Sequence, residues 1–416
     1  MDSHSIVIVG GGPAGIMAAV RAADLKAPAV ILLERNASLA RKLGLTGKGR
    51  CNLTNEAPVE EFCSRFGTNG LFLRNAFSRF FSGDLMTFFE DRGLKLKKER
   101  QGRIFPATDS SSSIISVLSS ELKKLSVDVR LGRHVRKVKC DGGMKTVIFD
   151  DGASLKCRLL IMATGGASYP QTGSTGDGFV WARDLGHTVA PLRAGLVPLE
   201  TREGFVKDLR GLTLKNIRII FTQGSRRLET PVGELLFTHF GVSGPLVLDH
   251  SVSVVAWLEK GDAGVMLDLK PGLARGELDK KLQTELRAVA NTSVGNYLKS
   301  LLPQRLVGVV AARAAVDAAK KCHQVTVEER RRLVASLKDF SFTVHRARPI
   351  DEAMVTVGGV SLKEINPKTM ESRLVPGLYF CGEVLDLAAS SGGYNLQAAF
   401  STGFVAGESA ALNARY

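Results

Sequence analysis

Three glycines near the start of the chain have a spacing that suits phosphate chemistry. Gly10, Gly12 and Gly15 stand in the run GGGPAG. In this GxGxxG pattern the first glycine turns the chain tightly and the second lets backbone approach a pyrophosphate. The third lets helix and strand pack closely. Glu34 lies 24 residues after Gly10, where a carboxylate accepts hydrogen bonds from a ribose hydroxyl. An acid there favours an unphosphorylated adenosine ribose, hence FAD or NAD over NADP. Further close backbone approaches are offered by Ala163-Thr164-Gly165-Gly166 and by Gly382-Glu383, with Gly393-Tyr394-Asn395-Leu396 beyond.

The elements needed to position these groups follow from the patterning. SIVIV at residues 5–9 predicts a buried first strand, residues 13–25 a helix with Pro at its start, and residues 30–33 a second strand ending at Glu34. Residues 158–166 read as a buried strand ending in ATGG, and 375–383 as another ending in Gly-Glu, before a small-residue helix. In two-part flavoprotein folds such a late strand brings its acid near the ribityl chain. The helix after it points its N-terminus at the flavin edge where negative charge develops on reduction. NAD dehydrogenases need neither feature, so FAD is the expected cofactor. GSTGDG at 173–178 follows a Pro-containing loop and lacks the GxGxxG spacing. With no second dinucleotide domain and no CxxC pair, a disulfide-reductase design is disfavoured. NADH or NADPH would then dock transiently as a diffusible co-substrate.

Composition narrows the class. The chain has 416 residues, 44% apolar and 23% charged, enough for two or three domains with a sizeable core. Its one oddity is a net charge of +15, which invites a nucleic-acid reading. The surplus is not gathered, however: residues 191–345 carry +7 and the remainder +8. A solvated basic surface is therefore expected, and nucleic acid is not the expected partner. Six cysteines show no zinc spacing and no CxxC, so no metal is expected and a reduced, cytoplasmic protein is. The N-terminus lacks a basic n-region and a cleavage site, and no apolar run is long enough to span a bilayer. No membrane association is expected, and the oligomeric state is not legible.

Longer motifs carry a resemblance. KLGLTGKGRCNLTN from Lys42, ATGGASYPQTGSTGDGF from Ala163, GELLFTHFGVSGP from Gly233 and GLYFCGEVLDLAASSGGYNLQAAFSTGFVAG from Gly377 resemble a bacterial family of NAD(P)/FAD-dependent oxidoreductases, of the aminoacetone-oxidase and BaiN-like type. The resemblance runs from the first strand to the last helix. It implies an α/β fold with a Rossmann-type FAD-binding domain split in sequence, holding an inserted β-barrel plus helical substrate domain. The expected parts are 1–195, an insert at 196–345 (β part about 196–272, helical part about 273–340), and a return segment at 346–416. It also implies FAD contacts from Ala14, Gly15, Glu34 and Arg35, and from Lys42, Thr46, Gly47, Gly49, Arg50, Cys51 and Asn52. Val135 would reach the adenine by its backbone, while Gly382, Glu383, Asp386, Gly393, Asn395 and Leu396 would lie along the ribityl chain and flavin. Two departures stand out. Lys48 replaces a usual glycine, and Asp386 is followed by Leu387-Ala388-Ala389-Ser390-Ser391 rather than by an Asp-Gly.

Residues for catalysis are less marked. Arg50 near the flavin would stabilise its reduced anionic form, or else fasten the loop as an ion pair. His239, in FTHFGVSG, would donate a proton to substrate, or else be a histidine bonded between strand ends. Cys51 would tune the flavin, or else pack as a buried thiol. The expected function is hydride exchange between flavin N5 and a small organic substrate. The alternatives are an RNA-associated, tRNA-modifying flavoprotein and a non-catalytic flavin-binding sensor or scaffold.

Overall fold

The structure is a computed structural model that describes residues 5–415. The chain forms two compact units: Leu196–Pro349 makes one, and the chain before and after it makes the other.

In the first unit, five short parallel strands form a sheet in the order Leu378–Phe380, Leu159–Met162, Ser5–Val9, Ala29–Leu33, Asp128–Arg130. Ile6, Val7 and Ile8 are fully buried, as expected for a parallel sheet covered on both faces, whose strands are continuous apolar runs rather than alternating ones. The helix Pro13–Asp24 leaves the first strand, and the last helix, Tyr394–Asn413, packs against it. That packing is unusually close. A Cβ on Gly403 or Gly407 would overlap the carbonyl oxygen of Ala14 or Ala18, so the small residues of the last helix are a docking face. Two three-stranded antiparallel sheets complete the unit's β structure together with the pair Val189–Gly195 and Val355–Val360.

The second unit is built on a closed barrel. Strands Thr213–Gln223, Gly233–Phe237, Gly241–Ser243, Leu199–Thr201, Phe340–Ala347 and Ala263–Asp268 pair antiparallel in that order, and the last pairs back to the first. Closure leaves no exposed edge among these six. Arg226–Glu229 adds a hairpin strand outside the ring. Of the helices that follow, Arg275–Ala288 buries Leu278, Leu282 and Leu286 along one stripe. The barrel-plus-helices architecture expected for the insert is what the unit shows.

One expectation needs an addition. The β part expected at about 196–272 also holds a helix of 14 residues, Pro245–Leu258. Its valines and serines disguise it. Pro245 pre-sets the first turn, and Val247, Ser251 and Val254 share a buried face at helical spacing. No helix among the described residues is long and apolar enough to cross a membrane.

Candidate cofactor-binding site

The three glycines perform three different tasks. Gly10 has φ +112°, and a Cβ there would overlap the backbone of Ala163. Gly15 sits in the first helical turn, where a Cβ would overlap the Gly10 carbonyl oxygen. Gly12 is the opposite case: a Cβ there would meet nothing within 4 Å. It faces a cleft lined also by Gly10, Ala14, Ala163, Thr164 and Gly165. Gly12 caps the first helix without a side-chain bond, so first-turn N–H groups and the positive helix end are available to an anion.

At one end of the cleft stands Glu34, almost wholly buried. One carboxylate oxygen accepts from the Gly11 N–H at 2.8 Å, and the other from the Asn36 N–H at 2.8 Å. These bonds fix the carboxylate at the strand end where a ribose would meet it. Arg35 lies beside it, donating to Asp177 at 2.8 Å and Thr175 at 2.5 Å, and it also contacts His134. Val135 lines the same end. Asp177 and Thr175 belong to the GSTGDG run, to which the sequence reading gave no role beyond excluding a second fingerprint. The run closes this end of the cleft.

Also on the cleft lining, Lys42 and Glu383 pair at 2.6 Å. Lys42 also donates to the Ser168 hydroxyl at 2.7 Å, and the other Glu383 oxygen accepts from the Thr356 N–H at 2.8 Å. Both charges line the cleft beside Gly382 and Thr46. Ser168 and Thr356 were missed by sequence reading. Ser168 sits inside the quoted ATGGASYP motif, but nothing local marks its partner. The Thr164 hydroxyl is buried and without a hydrogen-bond partner on the same lining.

Asn395 and Leu396 in the first turn of the last helix also line the cleft. Gly393 caps that helix with φ +96°, and a Cβ there would overlap the Thr54 backbone. Asn52, with its amide oriented to satisfy both ends, accepts from the Gly393 N–H at 3.0 Å. It therefore supports the helix start from behind. Asp386 is not on the lining. It is half-buried, burial raises its carboxyl above the usual range, and its backbone carbonyl accepts from Asn69 at 2.8 Å.

The loop from Thr46 to Asn52 is tightly wound. Gly47, Lys48, Gly49 and Cys51 all have positive φ, a region that costs a side-chain-bearing residue about 1–2 kcal/mol. That cost explains why glycine suits position 48. Gly47, Gly49, Arg50, Cys51 and Asn52 do not line the cleft, and neither does Gly15; they shape the backbone that does.

The catalytic candidates have other surroundings. The Arg50 guanidinium pairs with Glu99 at 2.8 Å and Asp109 at 3.3 Å and lies over the Phe105 ring at 4.2 Å. This geometry fastens the loop and does not place the charge on the cleft. His239 belongs to the second unit, exposed on a turn closed by the Thr238 and Gly241 backbones. Cys51 is fully buried, and burial pushes its thiol up to about 12. Alkylation of the native protein by iodoacetamide at pH 8 is accordingly expected to label Cys140, the one exposed thiol, within minutes. Peptide mass spectrometry should find Cys51 modified only after unfolding. Rapid native labelling of Cys51 would overturn its assignment as a packing thiol.

These features fit a dinucleotide flavin: open space over Gly12 at an uncapped helix start, a fixed carboxylate at the second strand end, an unpartnered hydroxyl, and a second helix N-terminus. Comparison with known proteins agrees. The family model described as HI0933-like protein Rossmann domain matches residues 4–409. A 3-dehydro-bile acid delta(4,6)-reductase from Clostridium scindens is 32% identical over 410 residues, covering 98% of this chain and 99% of that one. A ribosomal RNA dihydrouridine synthase from Escherichia coli is 32% identical over 403 residues, covering 97% and 96%. Among solved structures, the 3-ketosteroid delta1-dehydrogenase of Sterolibacterium denitrificans superposes with a TM-score of 0.51 at 13% identity, covering 99% of this chain and 100% of that one. Quinol fumarate reductase FrdA of E. coli gives 0.52 at 17% identity, with 99% and 70% covered; these two likenesses concern the fold alone. The chain thus belongs to the HI0933-like Rossmann-domain family and is an FAD-dependent oxidoreductase.

Proposed function

We propose that the protein reduces a carbon–carbon double bond conjugated to a carbonyl group, taking electrons from NADH or NADPH. One observation carries this reading. At 31–32% identity and over nearly full length, the chain resembles a bile-acid reductase and ribosomal RNA dihydrouridine synthases. A 3-oxo-4,6-diene and a uracil ring have little in common except an alkene polarised by a carbonyl. When bound, the flavin supplies the hydride that such an alkene accepts at its electron-poor carbon.

The chain's own residues hold and shield that chemistry. Glu34 and the first helix start bind the cofactor's sugar and phosphates. The Lys42–Glu383 pair, fixed by Ser168 and Thr356, keeps two opposed charges on the cleft without net charge. Phe66, Leu387 and Leu396 give the lining apolar walls that exclude water from a reactive hydride. Reduction also needs a proton at the second carbon, supplied by an acid of the enzyme or by solvent. Arg50 is not retained, because its charge is spent on Glu99 and Asp109.

RNA is the second reading of the substrate. It is favoured by two relatives named as ribosomal RNA dihydrouridine synthases and by the charge of +15. Anaerobic titration separates the two. NADH or NADPH is expected to bleach the flavin of the purified holoenzyme. A 3-oxo-4,6-diene steroid or a uridine-containing oligoribonucleotide is then expected to restore the oxidised spectrum within seconds. If neither acceptor does so while oxygen does, conjugated-alkene reduction is the wrong reaction.

A further inference from the structure

A short strap beside Glu34 is fastened across the chain by side chains. It runs from Thr172 to Asp177, and Thr172, Gly173, Ser174, Thr175 and Asp177 all line the cleft. Its own backbone bonds stay local at first. The Gly173 N–H donates to the Pro170 carbonyl at 2.9 Å, and the Thr175 N–H to the Gly173 carbonyl at 3.2 Å. Among the described residues, the first backbone bond to more distant chain comes at Gly176, whose N–H donates to Gly166 at 3.1 Å.

The groups that reach over to the strap come from the end of the second strand. The Asn36 amide nitrogen donates to the Thr172 carbonyl at 3.0 Å. Arg35 Nη1 donates to Asp177 at 2.8 Å and to the Thr175 hydroxyl at 2.5 Å. Its Nη2 contacts the His134 ring, which in turn contacts Asp150. One guanidinium thus gathers the strap, the residue after Glu34 and the residue before Val135.

The strap is built to move between firm ends. Gly173 has φ +102° and Gly176 φ +84°, conformations that glycine enters and leaves without the steric cost a side chain would impose. Beyond them Asp177 opens the helix Asp177–Asp184, where a carboxylate is stabilised by the positive helix end. The fastening itself can be undone. The Arg35 and Asp177 side chains keep 27% and 38% of their surface exposed, so breaking the pair strands neither charge away from water, and salt weakens it.

From this arrangement we infer that Arg35 and Asp177 form an ionic latch on the strap 172–177, whose opening sets how fast the adenosine part of the cofactor enters and leaves the cleft. Arg35 Nη1 is committed to protein acceptors, so the guanidinium acts on the cofactor through the strap. A latch acts on rates. Its loss lowers the barrier to entry and to exit alike and leaves affinity nearly unchanged, whereas loss of a direct contact raises dissociation and Kd together. The inference concerns cofactor exchange and stands whichever substrate the flavin reduces.

Exchange of bound FAD against excess isotopically labelled FAD, followed by mass spectrometry on the full-length holoprotein, reads the release rate. Fluorescence titration reads Kd. Asp177→Asn, which keeps the shape and removes the charge, is expected to speed exchange about tenfold while Kd moves less than about threefold. Arg35→Met should do the same, and the double variant should exchange no faster than either alone, because one pair is broken once. Added salt should speed exchange in the wild type but not in Asp177→Asn. Asp91→Asn, which removes an exposed carboxylate outside the cleft lining, should exchange as the wild type does. A Kd that rises in step with the release rate would make these residues direct cofactor ligands and overturn the latch. So would a wild-type exchange rate in Asp177→Asn, or effects of the two substitutions that multiply. Asparagine retains the form of Asp177, so this variant is expected to melt with the wild type, and its salt response decides the matter if Arg35→Met does not fold.

Discussion

Gly12→Val is expected to abolish FAD retention while leaving the apoprotein folded. Gly12 has φ −83° and ψ −178°, an extended conformation open to any residue, and its missing Cβ faces only open space. A valine is therefore accommodated at a cost of about 1 kcal/mol for a poorer helix cap. Its methyl groups stand instead where the uncapped helix start would receive a pyrophosphate. Loss of that approach should raise the FAD dissociation constant about 100- to 1000-fold, or roughly 3–4 kcal/mol. Gly15→Ala is the contrasting change. Its methyl group would overlap the Gly10 carbonyl, and Gly10 cannot retreat because it already abuts the Ala163 backbone. Overpacking of this kind costs about 1–3 kcal/mol or more, so here the apoprotein itself should lose stability. Fluorescence titration with FAD and thermal melting of both apoproteins distinguish the outcomes. A Gly12→Val protein that binds FAD as tightly as wild type, or that melts as early as Gly15→Ala, would refute the division of labour among the glycines.

That division was readable from sequence because it is local. A glycine spacing, a β-rich run before it and an acid after the next run constrain one another over thirty residues. What lay beyond reach was set by distant chain. Lys42 finds Glu383 across 341 positions, and nothing in either neighbourhood announces the other. Arg50 was visible as a cation in a glycine-rich loop, but Glu99 and Asp109, which occupy it, arrive on a later hairpin and helix start. The Pro245–Leu258 helix was hidden by composition, since its Val and Ser residues favour strands or turns until one face is buried. The β-bulge at His345, where Thr201 faces Val344 and Glu200 faces Arg346, is invisible in principle from one strand. A register slip belongs to a pair of strands.

Lys145→Met is expected to cost the first unit about 2–4 kcal/mol, although no feature of the cleft is touched. Lys145 is 1% exposed, on the strand Met144–Phe149, where it points inward with Val147 and Phe149. Among the described residues no carboxylate forms an ion pair with it, although Glu371 lies near enough to act on its charge. Its ammonium donates instead to three backbone carbonyls: Gly143 at 3.1 Å, Arg158 at 2.8 Å and Pro376 at 2.5 Å. Arg158 precedes one strand of the parallel sheet and Pro376 precedes another, so one side chain ties a peripheral sheet to two central strands. Methionine fills similar volume but leaves these carbonyls without the donor, at about 1–3 kcal/mol for each left unsatisfied. Relief from burying a cation offsets part of that. Burial lowers the Lys145 pKa, which gives the effect a sign in pH. Between the folded value and the unfolded value of about 10.4, the unfolded chain binds more protons, so wild-type stability gains from this group as pH rises through that window. The gain should be missing from Lys145→Met. Urea midpoints at pH 7 and at pH 9.5–10.5, with Lys139→Met as an exposed control on the neighbouring strand, provide the measurement. Equal stability at pH 7 together with an unchanged alkaline slope would mean that the three carbonyls are satisfied without the ammonium.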